Sequence, residues 1–238
     1  MNIPGQVYPM FDAVERAVDS AWTDEENTFF TRHRALKYAN RCLNIQHASE
    51  NYTVAEHTSM LGIFALIVFD EFDEYNANHP LSATELSQDK RYEILRRILL
   101  HDVSESVTGD IPYFVGLDNE KYIEDTIEAR GHTIFSSEAL NEEVLAGDYD
   151  GPVELFVRVL DFVELAMFCL EQEIAGTVVI DHTRGTNVLD VCLELMKTKC
   201  NDCPDSDWND IFYFLRDRIC DRFIDEVTRI RKNHGKEV

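Results

Sequence analysis

Residues Arg91 to Asp110 read RYEILRRILLHDVSESVTGD, and this stretch organises the reading of the whole chain. Ile94, Leu95, Ile98 and Leu99 recur at the i, i+3, i+4 spacing of a helix with one apolar face. The stripe then turns polar. His101 and Asp102 follow Ile98 by three and four residues, and Glu105 follows them by four and three, so three ionisable groups stand where a core-facing stripe should continue. The helix is predicted to stop near Thr108, where Gly109 can take the left-handed conformation and Pro112 prevents continuation. A buried charge without a partner costs several kcal/mol, so such a cluster is normally paired or coordinates a metal. The stretch therefore reads as one wall of a metal site.

Two other predicted helices carry the same kind of interruption. Thr53 and Glu56 form a Thr-x-x-Glu capping box, which predicts a helix from Thr53 to Glu74. On it Val54, His57, Leu61, Phe64 and Val68 share one face, so His57 should point inward. A second helix is predicted from Pro152 to Ala175, with proline at its start and Gly176 ending it. There Val157, Asp161 and Leu165 share a face, so Asp161 should point inward too. A lone histidine on an apolar face is more often a hydrogen-bonded core residue, and a lone buried aspartate more often a structural acceptor. Together, two imidazoles and two carboxylates on three helices make a mixed nitrogen and oxygen ligand set suited to Mn, Co, Fe, Zn or Mg.

The remaining chain is helical in pattern, with no internal repeat and few windows of period-2 alternation. Phe11 to Trp22, Glu25 to Leu43, Glu120 to Ala146, Thr186 to Lys199 and Trp208 to Lys232 are predicted helices. Residues 75 to 90, with Asn76, Asn78, Pro80 and Ser82, read as a surface loop. At 238 residues the expectation is a single all-α domain, residues 1 to 238.

Composition narrows the functional classes. A formal net charge of -23, from 45 acidic against 22 basic residues, opposes binding to a phosphate backbone, so no nucleic-acid partner is expected. An anionic small substrate would need local arginine, lysine or a cation. The N-terminus lacks a basic segment followed by an apolar one, and the longest apolar run, Leu61 to Phe69, is too short for a bilayer. Six cysteines without disulfide-scaffold density suit a reducing compartment, so a cytoplasmic protein with no membrane association is expected. Cys200-Asn-Asp-Cys203 has zinc-ribbon spacing but lacks a second pair outside helical patterns. Arg229 to Lys236 reads as a solvated basic helix tail. No glycine-rich phosphate loop supports ATP or dinucleotide chemistry.

His57, the His101-Asp102 dyad and Asp161 resemble the H...HD...D pattern of the HD-domain metal-dependent phosphohydrolases, most closely the YfbR-like 5'-deoxynucleotidases of bacteria and phages. The resemblance rests on TVAEHTSM (53 to 60), LLHDVSESVTGDIP (99 to 112), LDFVELAMFCLEQEIAG (160 to 176) and the N-terminal YANRCLN (38 to 44). It anchors residues 32 to 176, with the helices of 186 to 232 packed on that core. It implies an HD-domain helical bundle that holds one divalent metal ion through His57, His101, Asp102 and Asp161. The activity it implies is removal of the 5'-phosphate from 2'-deoxyribonucleoside 5'-monophosphates, by attack of a metal-activated water on phosphorus. It further implies a catalytic Glu105 that exchanges protons, an Asp110 that hydrogen-bonds the nucleotide or orients a neighbour, and an Arg41 at the substrate phosphate. Relatives are dimers, which implies a homodimer. One departure stands out: relatives have Arg-Trp where this chain has Arg41-Cys42, so the residue expected to help discriminate deoxyribose from ribose is missing. Two alternatives remain open, a deoxynucleoside triphosphate triphosphohydrolase of the same superfamily and a non-catalytic nucleotide-binding scaffold.

Overall fold

The computed structural model describes residues 52–79, 85–103, 151–181, 185–203 and 205–236. Arg41, Glu105, Asp110, the sequence around Cys42 and the predicted helices before residue 51 and between 120 and 146 lie outside these. The described chain is all-α apart from one two-stranded hairpin.

Helix α1 spans Val54–Asn78, and its start is the predicted capping box. Thr53 Oγ1 accepts from the Glu56 amide at 3.2 Å, and Glu56 Oε2 accepts from the Thr53 amide at 2.8 Å. Two N–H groups that have no partner within the helix are thereby satisfied. The buried face of α1 carries His57, Leu61, Ala65, Val68, Phe69 and Phe72. Phe64, expected on that face, is half-buried, and Ala65 takes its place.

The helix runs four residues past the predicted end, into what reads as loop. Asn78 returns its side-chain amide to the Glu74 carbonyl at 2.9 Å, and Tyr75 stacks on His79 with ring centroids 4.3 Å apart. Tyr75 also packs on Phe214, so a tertiary contact holds a polar last turn that propensity alone disfavours.

Helix α2, Gln88–Leu100, begins at Ser87, whose hydroxyl accepts from the Lys90 amide. Ile94 and Ile98 are fully buried and Leu95 is half-buried, but Leu99 is exposed and Leu100 is buried instead. The expected continuation toward Thr108 is corrected within the described residues: the regular helix closes at Leu100, and His101 to Val103 form a turn. The Val103 amide bonds the Leu100 carbonyl at 3.2 Å, a three-residue bond that tightens the end.

Helix α3, Pro152–Ile174, is the axis of the core. Phe156, Val159, Leu160, Phe162, Ala166 and Cys169 are almost fully buried, as expected of a helix surrounded by others. It packs most extensively on α4 (Val188–Asn201) and also against α1, α2 and the C-terminal helix. Its end is a Schellman motif at the predicted glycine: Gly176 has φ 99°, its amide bonds the Glu173 carbonyl, and the Thr177 amide bonds the Gln172 carbonyl at 2.8 Å.

Between α3 and α4 a hairpin that the sequence pattern did not suggest pairs β1 (Ile180–Asp181) with β2 (Thr186–Asn187), antiparallel. With two residues per strand it offers too few positions for alternation to show. Helix α4 therefore starts two residues later than expected, capped by Asn187.

The predicted last helix is also subdivided. A 3₁₀ turn, Ser206–Trp208, leads into α5 (Asn209–Phe214), a π-helical segment (Leu215–Cys220) and α6 (Asp221–Asn233). Within it Cys220 meets Cys200, buried, at 3.8 Å between sulfurs. The basic tail is not wholly solvated: Arg231 is buried and forks onto Glu173 at 3.0 and 2.7 Å while reaching Asp190 at 2.6 Å.

Arg231 ties α6 to α3 and α4. Arg231→Ala is expected to destabilise the fold by about 3 kcal/mol or more, because it leaves the Glu173 carboxylate buried without its cation. Urea unfolding measures this, and a loss under about 1 kcal/mol would contradict it. Among the described residues no helix is long and apolar enough to cross a membrane.

Candidate metal centre

The fold brings three side chains, His57, His101 and Asp102, to one point and sets Asp161 beside the first of them. His57 lies in the first turns of α1, fully buried, with its amide bonded to the Thr53 carbonyl. His101 and Asp102 lie on the turn that closes α2, and Asp161 lies in the middle of α3. His57 Nε2 is 3.3 Å from His101 Nε2, 3.4 Å from Asp102 Oδ2 and 3.3 Å from Asp161 Oδ1. His101 Nε2 is 3.2 Å from Asp102 Oδ2. His57, His101 and Asp102 each offer a ligand atom within 4.8 Å of the others.

The two imidazoles are fixed from behind. His57 Nδ1 donates to Glu164 Oε2 at 2.7 Å, and His101 Nδ1 donates to the Ile98 carbonyl at 2.7 Å. A carbonyl and a carboxylate only accept, so each ring carries a proton on Nδ1, and in its neutral form turns a lone pair on Nε2 toward the other. Two lone pairs facing each other at 3.3 Å, with two carboxylates beside them, form an arrangement that repels itself unless a cation or a proton stands between.

The spacing fits a small divalent ion. For ligand bonds of about 2.1 Å, neighbouring ligand atoms are separated by about 3.0 Å at right angles and about 3.4 Å at the tetrahedral angle. The observed separations of 3.2, 3.3 and 3.4 Å fall between these limits. His101 and Asp102 directly follow the C-terminus of α2, the negative end of that helix's dipole.

Carboxylates and a carbonyl set the proton affinity of His101. Burial pushes its pKa down, but the charge of Asp102, its hydrogen bond, the charge of Asp161 and the bond to the Ile98 carbonyl outweigh burial, and the net shift is upward from 6.5. A raised folded value means that protonated His101 stabilises the metal-free protein below pH 6.5 and that this contribution is lost as pH rises through the folded value. Proton and cation compete for the same Nε2. The gain in melting temperature on adding Mn²⁺ is therefore expected to be small at about pH 6 and larger at about pH 8, read against an EDTA control. A gain that is equal at both values, or larger at the acidic one, would contradict the competition.

Sequence reasoning missed two residues of this site. Glu164, buried one turn after Asp161, holds His57 from behind, and the Tyr52 hydroxyl donates to Glu164 Oε1. Glu164 was findable by the argument that selected Asp161, since Leu160, Glu164 and Phe168 form another inward stripe broken by a carboxylate. Tyr52 carries no such signal, because it precedes the helix. Among the described residues Cys200 meets Cys220 and joins no metal cluster with Cys203. Arg41, Glu105 and Asp110 lie outside the described residues.

With the geometry in place, comparison with known proteins adds one finding. No family model and no curated protein matches the chain. The structure resembles the crystal structure of a predicted metal-dependent phosphohydrolase from Magnetospirillum magnetotacticum MS-1, with TM-score 0.50. The likeness covers 92% of this chain and 93% of that one, at 17% sequence identity. The two chains share a fold. That shared fold is helical, and the cluster just described sits at the junction of three of its helices, α1, α2 and α3.

Proposed function

We propose that the protein is a metal-dependent phosphohydrolase whose substrate is a 2'-deoxyribonucleoside 5'-monophosphate. The observation that carries the hydrolase reading is the convergence of His57 Nε2, His101 Nε2 and Asp102 Oδ2, with Asp161 Oδ1 beside His57 and both Nδ1 atoms turned outward. The fold shared with the predicted metal-dependent phosphohydrolase from Magnetospirillum magnetotacticum MS-1 supports it. The substrate class rests on the likeness of the HDxSExxTGDxP stretch, residues 101 to 112, to the 5'-deoxynucleotidases.

A divalent ion bound there would lower the pKa of water and polarise a phosphoryl oxygen. Ligation falls to His57, His101, Asp102 and Asp161. In the reaction a water oxygen bonds to phosphorus, the bond from phosphorus to the 5'-oxygen breaks, and a proton reaches the departing oxygen. Glu105, three residues after Asp102, is assigned that proton exchange. Arg41 is assigned the phosphate and Asp110 the nucleotide or a neighbouring side chain. In a chain of net charge -23, a cation and a guanidinium are what make an anionic substrate tolerable at all.

The test is phosphate release from a panel of deoxynucleoside and ribonucleoside mono- and triphosphates, with Mn²⁺, Co²⁺, Fe²⁺, Zn²⁺ or Mg²⁺ added in turn. The expected result is inorganic phosphate from deoxynucleoside monophosphates, dependent on the ion. Tripolyphosphate from a triphosphate would replace this reading with that of a triphosphohydrolase. No phosphate of any kind would favour a binding scaffold. The ribose arm reads out the consequence of Cys42.

A further inference from the structure

We propose that Glu164, held by Tyr52, is the positioning residue that keeps His57 in the tautomer with a lone pair on Nε2. The proposal rests on reading the four-residue cluster as a metal centre. His57 is fully buried, so neighbouring side chains and not water decide which nitrogen carries its proton. Two carboxylates pull that proton the wrong way: Asp161 Oδ1 at 3.3 Å and Asp102 Oδ2 at 3.4 Å both lie beside Nε2. A proton on Nε2 would take away the lone pair a cation needs. Glu164 Oε2 pulls the other way from 2.7 Å, the shortest of the three distances and the only one well within hydrogen-bond range.

The carboxylate is itself restrained. Its second oxygen, Oε1, accepts from the Tyr52 hydroxyl, so rotation of the group would break one bond or the other. Tyr52 is in turn fixed twice. It precedes the Thr53 cap of α1, the position from which a side chain folds back over the first turns of the helix, and it stands edge-on to His57. Its ring stacks on Phe168 of α3, with centroids 4.8 Å apart and an interplanar angle of 15°. Phe168 is one turn beyond Glu164, as Glu164 is one turn beyond Asp161. One face of α3 thus presents Asp161 to Nε2, Glu164 to Nδ1 and a platform for the tyrosine that aims Glu164.

Glu164→Gln tests this with little change of shape, because the amide NH₂ can donate to Nδ1 and favour the opposite tautomer. In metal-free protein labelled with ¹⁵N-histidine, the wild type is expected to show the proton on Nδ1 of His57, and the variant to show it moved toward Nε2. Calorimetric titration with Mn²⁺ is expected to show a ten- to hundred-fold loss of affinity, the range typical for removing an outer partner of a metal-bound histidine. Tyr52→Phe keeps the stack on Phe168 and removes only the hydroxyl, so a smaller loss, several-fold, is expected.

An unchanged His57 tautomer in Glu164→Gln, or unchanged Mn²⁺ affinity in both variants, overturns the proposal. Should Glu164→Gln not fold, the Mn²⁺ affinity of Tyr52→Phe decides alone. Wild-type protein that keeps its proton on Nδ1 yet takes up no Mn²⁺ would refute the metal centre, an outcome distinct from failure of the tautomer assignment.

Discussion

Replacing His101 or Asp102 by alanine is expected to remove the bound cation and the phosphate-releasing activity together. Each residue offers one atom within 3.4 Å of His57 Nε2, so each variant removes one ligand atom of the cluster. The two variants should nevertheless differ in the metal-free state. His101→Ala removes one of two facing imidazoles, whereas Asp102→Ala removes the carboxylate whose charge and hydrogen bond push the His101 pKa upward. Metal content by mass spectrometry and Mn²⁺ affinity by calorimetry are the readouts. The affinity loss should exceed about a hundred-fold, the upper end for outer partners alone. Full activity in either variant would sink the assignment of that residue.

Glu105→Ala should behave differently: the metal stays and turnover falls by about 10² to 10⁴, the usual contribution of a positioned acid or base. Glu105 follows Val103, the last residue described in this part of the chain, by two positions. Its role is therefore argued from its place in HDxSExxTGDxP. Retained metal with lost turnover separates a proton-exchanging group from a ligand. If the variant instead releases the metal, Glu105 belongs to the ligand set and the proton must be handled elsewhere.

Much of the arrangement was legible in the sequence because burial of a helix face leaves a period in the chain. His57 is found inward because Leu61 and Val68 on its stripe are buried, and Asp161 because Val157 and Leu165 are. The start of α1 and the end of α3 were legible for a stronger reason. A Thr-x-x-Glu box and a helix-ending glycine each encode particular hydrogen bonds, and those bonds are formed.

Where the reading failed, tertiary contact had overridden the local signal. The last turn of α1 looks like loop because Asn76 and Asn78 are poor helix formers, yet Tyr75 against Phe214 holds it. The polar run after Leu100 reads as continued helix. It is a turn, and the turn places the His101 and Asp102 side chains together at the helix end, 3.2 Å apart at Nε2 and Oδ2. His101 itself keeps helical dihedrals and bonds its amide to the Arg97 carbonyl, so its spacing from Ile98 holds up to the helix end. Arg231 was lost in a basic tail because its partners Glu173 and Asp190 are 58 and 41 residues away.

Committed partners explain why α3 tolerates so much buried charge. Besides Glu154, which pairs with Arg97 and Arg158, two carboxylates are buried in this helix, Glu164 and Glu173, and each has a committed cationic or donor partner: His57 for the first, Arg231 for the second. The first holds the site and the second holds the C-terminal helix against the core, so substitutions at the two should separate function from stability. Loss at Arg231 should lower the unfolding free energy, whereas Glu164→Gln should act chiefly on the cation.

The measurement that goes straight to the cluster is an anomalous difference map from crystals grown with Mn²⁺. One peak at about 2.0 to 2.3 Å from Nε2 of His57, Nε2 of His101, a carboxylate oxygen of Asp102 and one of Asp161 is the predicted result. A map with no peak among these four atoms, or with the ion bound elsewhere in the molecule, would contradict it.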